Sequence, residues 1–105
     1  MSYLYSPAHP SIIRMLRQVV REGKKAGKPV AVCGEVAADP RYTPLLLGLG
    51  IDELSMAAPT LPMIKSVIRR ISMVEAQALT EHILTLKTYL DVEEALEEFY
   101  NRLQT

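Results

Sequence analysis

The chain has a single cysteine, Cys33, and two histidines among its 105 residues. One cysteine cannot form an internal disulfide framework, which is typical of a reducing cytoplasm. His9 and His82 with one thiol leave too few ligands for a structural zinc site. No apolar run reaches the length of about 18 residues that crosses a bilayer, and the N-terminus lacks a secretory signal pattern. The sequence therefore predicts a cytoplasmic protein with no membrane span and no metal site of its own.

A net charge of one sign is also missing. The chain is neutral overall, but residues 1–50 carry a net +4 and residues 51–105 a net −4. This division is typical of separately solvated helix faces, although it would also let two copies pair head to tail. The basic residues Lys24, Lys25 and Lys28 form too small a patch for nucleic acid, so no nucleic-acid partner is expected.

What is present is the composition of one modest globular domain, or of a piece of a larger one, with 49% hydrophobic residues. Apolar periodicity predicts a helix over 10–26, a helix over about 40–48 and another over about 60–71. Two further helices are indicated by capping boxes, Ser72 with Glu75 and Asp91 with Glu94. The expected apolar stripe of the first of these is Val74, Ala78, Leu79, Ile83 and Leu86.

Two short strands complete the pattern. Residues 29–33 read as a buried strand, and residues 53–57 as a second. Asp39 followed by Pro40 predicts the start of the helix between them. Strand, helix and strand within about thirty residues favour a right-handed unit with parallel strands.

Cys33 is the residue around which a functional hypothesis can be built. It ends the first strand and is followed by Gly34 and Glu35, and α/β enzymes place their chemistry at the carboxyl ends of parallel strands. The alternative is that a lone cysteine is simply a small buried hydrophobe. The spacing of these residues alone names no reaction.

Four stretches together resemble the C-terminal end of enzyme I, the phosphoenolpyruvate–protein phosphotransferase family of the bacterial sugar phosphotransferase system. They are Leu4–Pro7 with Pro10-Ser11, Val32–Ala37 with Asp39-Pro40, Leu45–Asp52, and Leu54–Met56. Pyruvate phosphate dikinases and phosphoenolpyruvate synthases share the Cys-Gly-Glu turn but match less well elsewhere. Ala38 and Ala57 depart from the family, which often has glycine and serine there.

The resemblance implies an α/β fold, in which residues 1–105 are the C-terminal fragment of a (β/α)8 TIM barrel with about two parallel strands and four to five helices. It also implies a full-length enzyme that uses phosphoenolpyruvate and Mg²⁺, phosphorylates its own histidine and then a phosphocarrier protein. Cys33 matches the family's proton donor to the enolpyruvate carbon. Gly34 would let the backbone approach the substrate. Glu35 would either orient the site or simply stabilise the first turn of a helix.

The family's phosphorylated histidine, metal-binding carboxylates and substrate-clamping arginines lie upstream of the matched segment. The chain alone is therefore expected to be inactive. Two parallel strands would leave exposed edges, which predicts self-association into a homo-oligomer. The alternative function is a non-catalytic oligomerisation or binding module derived from the same barrel.

Overall fold

The computed structural model of the protein describes residues 8–104. Those residues form an α/β structure with six helices and two parallel strands. In chain order the elements are α1 Pro10–Lys25, β1 Ala31–Cys33, α2 Glu35–Ala38, α3 Thr43–Leu49, β2 Glu53–Ser55, α4 Leu61–Arg70, α5 Met73–Ile83 and α6 Tyr89–Gln104, with a 3₁₀ turn at Ala58–Thr60. The Leu4–Pro7 stretch lies outside the described residues.

The first helix begins and ends where the sequence predicts. Pro10 occupies its first turn, where a missing N–H costs nothing, and the His9 side chain accepts a hydrogen bond from the backbone N–H of Ser11. Gly27, with φ 69°, follows the last turn and lets the chain reverse. Ile13 and Val20 lie buried on the inner face of α1, which confirms the predicted amphipathic helix.

The two strands pair in parallel, as predicted, with Val32 opposite Leu54 and Cys33 opposite Ser55. Val32 and Leu54 pack against the core, whereas Ala31 and Cys33 are exposed. The prediction of a buried strand is therefore wrong. Alternate residues of each strand are thus exposed, so only one face of the pair is covered, and with two strands in the described residues both outer edges are open there.

The segment between the strands differs from the prediction. The helix starts at Thr43 rather than at Pro40, and a single helical turn, α2, precedes it. Asp39 follows α2, and its carboxylate accepts the Arg41 N–H at 3.0 Å. This aspartate therefore caps a turn instead of a helix, a competing use of the same side chain.

The core lies where α3 packs against α5. Leu45 and Leu46 are each 1% exposed and Leu49 is 7% exposed, so all leucines of α3 except Leu47 are buried. Gly48, expected to end α3, lies inside it. A Cβ there would overlap the Thr80 hydroxyl and the Ala76 carbonyl, so glycine is what lets the two helices approach this closely.

The buried stripe of α5 agrees with the predicted one at Leu79 and Ile83 but not at Val74 and Ala78. It consists of Ala76, Leu79, Thr80 and Ile83, whereas Val74 is 75% exposed and Ala78 is also exposed. The side of α5 that meets α3 is the one that carries Ala76 and Thr80, because the Ala76 carbonyl and the Thr80 hydroxyl occupy the space that the missing side chain of Gly48 leaves. Two apolar faces were compatible with the periodicity, and packing against α3 decided between them.

Of the two predicted capping boxes, the structure contains one. Both hydrogen bonds of the predicted Ser72–Glu75 capping box are present. The second predicted box is wrong, because α6 begins at Tyr89 and the Thr88 hydroxyl accepts the Asp91 N–H at 3.2 Å. Ile64 and Val67 of α4 are buried, as are Val92, Leu96 and Phe99 of α6. No helix within residues 8–104 is both long and apolar enough to cross a membrane.

Candidate active-site turn at Cys33

The thiol of Cys33 lies at the carboxyl edge of the two-stranded sheet. Cys33 is the last residue of β1 and pairs with Ser55, the last residue of β2. The Gly34 N–H donates to the Ser55 carbonyl at 3.3 Å and so continues the pairing by one residue. Cys33 is an exposed free thiol, which overturns the alternative of a small buried hydrophobe. The predicted position at a strand terminus is confirmed.

Gly34 is required by its backbone conformation. Its φ of 84° and ψ of −150° belong to a region that residues with a Cβ scarcely populate. No heavy atom lies within 4 Å of the position that a Cβ would occupy, so packing is not the reason for glycine here. The turn therefore leaves open space beside Gly34, the residue that follows the thiol.

Glu35 opens α2, directly after the glycine, and its side chain is exposed. Cys33, Gly34 and Glu35 thus form one contiguous turn at the sheet edge. The two histidines belong to other elements. His9 caps α1 and His82 lies in α5, and both are exposed.

Arg41 is the residue of this region that the sequence analysis missed. Its Nη2 lies 2.9 Å from Asp39 Oδ2 and its Nε 3.3 Å from Asp39 Oδ1. On its other side, Nη1 lies 3.4 Å from Glu93 Oε2 and 3.5 Å from Glu97 Oε1. The hydrogen bond with Asp39 raises the pKa of Arg41 above its ordinary value. The four-residue spacing of Glu93 and Glu97 is compatible with one helix face. Nothing in the sequence indicates that Arg41, about fifty residues away, binds both of them.

Tyr42, the next residue, is only 4% exposed. Burial, with the nearby Glu93 carboxylate as a smaller cause, raises the pKa of Tyr42 to about 12. The Arg41 guanidinium lies 5.7 Å from the centre of the Tyr42 ring. Tyr42 therefore stays neutral and anchors the start of α3, where its carbonyl accepts the Leu46 N–H.

An open groove of about 500 Å³ runs along α6. Its residues belong to a different element from the Cys33 turn and lie far from it in the sequence. It is lined by Glu93, Glu94, Glu97, Glu98 and Asn101. Two of these carboxylates are already bound to Arg41. No group of three or more His, Cys, Asp or Glu side chains within residues 8–104 is placed to hold a metal ion. The donors described here thus do not fit the Mg²⁺ that the family resemblance implies.

Comparison with known proteins identifies the family. The family model for the PEP-binding domain of PEP-utilising enzymes matches residues 1–73. The chain is 41% identical over 98 residues to a phosphoenolpyruvate-protein phosphotransferase of Haemophilus influenzae, covering 93% of this chain and 17% of the relative. A protein of the same name from Buchnera aphidicola is 40% identical over 100 residues, covering 95% of this chain and 17% of the relative. Multiphosphoryl transfer protein 1 of Escherichia coli K12 is 41% identical to the chain over 98 residues, covering 93% of this chain and 12% of the relative.

The chain thus spans about a sixth of the length of the phosphotransferases that it matches. The family model nevertheless covers well over half of this chain and includes the whole Cys33 turn, both strands and α4. The chain belongs to the PEP-utilising enzymes, as part of their PEP-binding domain.

Proposed function

We propose that residues 1–105 form the C-terminal end of a phosphoenolpyruvate–protein phosphotransferase and contribute its last two strands to a (β/α)8 barrel. The observation that carries the proposal is the exposed thiol of Cys33 at the carboxyl edge of a parallel strand pair. That edge is where barrel enzymes bind substrates. The uncovered outer edges of β1 and β2 are where the neighbouring strands of the barrel would pair.

Cys33 is proposed to be the proton donor. When the phosphoryl group leaves phosphoenolpyruvate for a histidine elsewhere in the enzyme, the P–O bond breaks and its electrons stay on the enolate oxygen. Collapse of the enolate forms the ketone and directs an electron pair from the methylene carbon to the thiol proton. Pyruvate and a thiolate result, and water returns the proton to sulphur. A positioned general acid of this kind contributes typically about 10²–10⁴-fold in rate.

Gly34 and Glu35 are proposed to contact the substrate side of the same turn. The open space beside Gly34 gives a small anionic substrate room to approach the backbone. Glu35, at the first turn of α2, is placed to orient that turn. Both roles rest on the same placement of the turn at the rim of the barrel.

Mg²⁺, the phosphorylated histidine and the phosphocarrier contact are assigned to the part of the relatives that this chain does not span. No cluster of donors within residues 8–104 is placed to hold that metal ion. The chain alone is expected to have no phosphotransferase activity. The same exposed strand edges support self-association of the isolated chain, with sedimentation velocity as the test. A monomer at every concentration would contradict it.

The function is tested by restoring the missing part. Residues 1–105 replace the matching segment of the Haemophilus influenzae relative, and transfer of ³²P from phosphoenolpyruvate to a phosphocarrier is measured. The joined protein is expected to transfer the label, whereas the chain alone is not. A joined protein that folds, by circular dichroism, but transfers nothing would refute the proposal and favour a non-catalytic oligomerisation module.

A further inference from the structure

Arg41 lies between the segment that follows α2 and the last helix, and its guanidinium is bound to Asp39 of that segment and to two carboxylates of α6. We propose that Arg41 is a positioning residue, which holds the Cys33 turn in place from α6 through Asp39 on one side and through Glu93 and Glu97 on the other. This rests on the proposed function of Cys33. It gives the C-terminal helix a part in the site, although that helix supplies no group to the reaction.

A series of backbone hydrogen bonds spans the segment from Gly34, which follows the thiol, to Tyr42, which follows Arg41. The Ala38 N–H donates to the Gly34 carbonyl at 3.2 Å, and the Asp39 N–H donates to the Val36 carbonyl at 3.3 Å. The Tyr42 N–H then donates to the Asp39 carbonyl at 3.0 Å. The bond between residues 36 and 39 overlaps the bond between residues 34 and 38, and the bond between residues 39 and 42 shares Asp39 with it. A displacement of Asp39 is therefore passed along the chain to Gly34.

The sheet restrains the turn from one side only. Cys33 is fixed by pairing with Ser55, and the Gly34 N–H bonds the Ser55 carbonyl. After Gly34 the chain leaves the sheet, and the glycine itself offers no side chain that could resist rotation. The next fixed points in the sequence are Val36, which packs against the core, Ala37, which is fully buried, and Asp39, which is held by Arg41. The orientation of the turn is therefore set by the sheet at one end and, at the other, by the packing of α2 together with the bonds of Arg41 to Asp39.

The guanidinium is suited to this task because it is a planar fork. Nε and Nη2 are directed at the two oxygens of Asp39, while Nη1 remains free to meet α6. Side chains of Arg41, Asp39 and Glu93 are 32%, 29% and 35% exposed, so the cluster is partly shielded from water. A lysine provides one point charge and cannot reproduce both contacts.

Amide hydrogen exchange on the 105-residue chain tests the proposal. In Arg41→Gln, the Ala38, Asp39 and Tyr42 amides are expected to exchange about tenfold faster, because charge-assisted bonds of this kind are among the stronger ones. Arg41→Lys should recover part of that protection. The matched control is Arg17→Gln, which breaks the 2.7 Å ion pair between Arg17 and Glu81 of α5 and should leave these three amides unchanged.

A second pair of substitutions separates the two arms of the fork. Glu93→Gln with Glu97→Gln keeps the Asp39 contact but removes the tie to α6, and it should also speed exchange at Ala38 and Asp39. Exchange of the buried α5 amides Leu79 and Ile83 should not change, since the effect is local. Equal acceleration in α5, or no acceleration in the turn, would overturn the proposal.

The reaction of Cys33 with iodoacetamide distinguishes positioning from mere attachment. Its rate constant should change by more than about threefold in Arg41→Gln and in the double glutamine variant, and by less in Arg41→Lys. The Arg17→Gln control should react like the wild type. An unchanged rate alongside faster exchange would show that Arg41 only fastens the loop, and would refute the positioning role. Inactivity of the joined protein would count against the proposed function and leave both measurements on Arg41 intact.

Discussion

Replacing Gly48 by alanine tests the most constrained contact in the fold. Judged from helix propensity alone, Gly48→Ala should stabilise α3 by about 1 kcal/mol. The structure predicts the opposite sign. The new Cβ would overlap the Thr80 hydroxyl and the Ala76 carbonyl oxygen and lie 2.8 Å from the Ala76 carbonyl carbon. Carbon atoms in contact prefer separations of about 3.5–4.0 Å, so α5 has to retreat.

The cost of that retreat has two parts. Overpacking of a well-filled core costs about 1–3 kcal/mol. Rotation of Thr80 away from the new methyl group breaks its 2.8 Å hydrogen bond to Ala76 and leaves a buried hydroxyl unpaired, at about 1–3 kcal/mol. After the gain in propensity, we expect a net loss of about 2–3 kcal/mol in the free energy of unfolding.

Urea unfolding of the 105-residue chain, followed by circular dichroism, measures this change. Gln77→Ala, on the exposed side of α5, is the matched control and should stay within about 0.5 kcal/mol of the wild type. If Gly48→Ala proved as stable as the wild type or more so, the close approach of α3 and α5 would be wrong.

Further substitutions test other parts of the structure. Gly34→Ala should lower the free energy of unfolding by about 1–3 kcal/mol through backbone strain. The loss should exceed that of Gly27→Ala, because the ordinary left-handed φ of Gly27 is less restrictive. Equal losses in urea unfolding would contradict the turn geometry. Ser72→Ala should lose about 1 kcal/mol at neutral pH. Hydrogen bonds from the Ser72 backbone N–H and, less strongly, from its side chain lower the pKa of Glu75 below its ordinary 4.5, so the stability contributed by the Glu75 carboxylate is present above pH 4.5 and is lost as the pH falls through the folded-state value. Because the backbone N–H remains in Ser72→Ala, Glu75→Gln is the variant that should flatten this acid loss, and acid unfolding that is identical in wild type and Glu75→Gln would refute it. Burial raises the pKa of Tyr42 from 10.0 to about 12. The stability that the neutral phenol contributes is therefore complete below pH 10 and is lost as the pH rises through 12. Tyr42→Phe should flatten that alkaline loss of stability, and an unchanged pH dependence would count against a buried neutral phenol.

The sequence predicted those elements whose signals are local. The first helix and the Ser72–Glu75 box depend on residues close together in the chain, and the parallel pairing of the strands follows from their short helical connection; all are confirmed. The predictions that helices begin at Asp39 and at Asp91 are wrong, because an aspartate serves a turn as readily as a cap. A local pattern does not show which of these uses the rest of the protein favours.

The long-range features could not be predicted in this way. The buried side of α5 depends on the fit of Ala76 and Thr80 against Gly48, which is thirty residues away. The bond from Arg41 to Glu93 joins residues whose proximity follows only from the packing of α6. For the candidate site, the sequence placed Cys33 at a strand terminus correctly, but it predicted a buried strand because it could not show that one face would stay uncovered.

The central claim is that Cys33 donates the proton to the enolpyruvate carbon. The most direct measurement compares wild type and Cys33→Ala in the joined protein, using two assays. Conversion of phosphoenolpyruvate to pyruvate should slow by at least about 100-fold in the variant. Exchange of the phosphoryl group between the joined protein and its phosphorylated carrier forms no carbon–hydrogen bond and should proceed at the wild-type rate. A Cys33→Ala protein that forms pyruvate within about twofold of the wild-type rate would contradict the account.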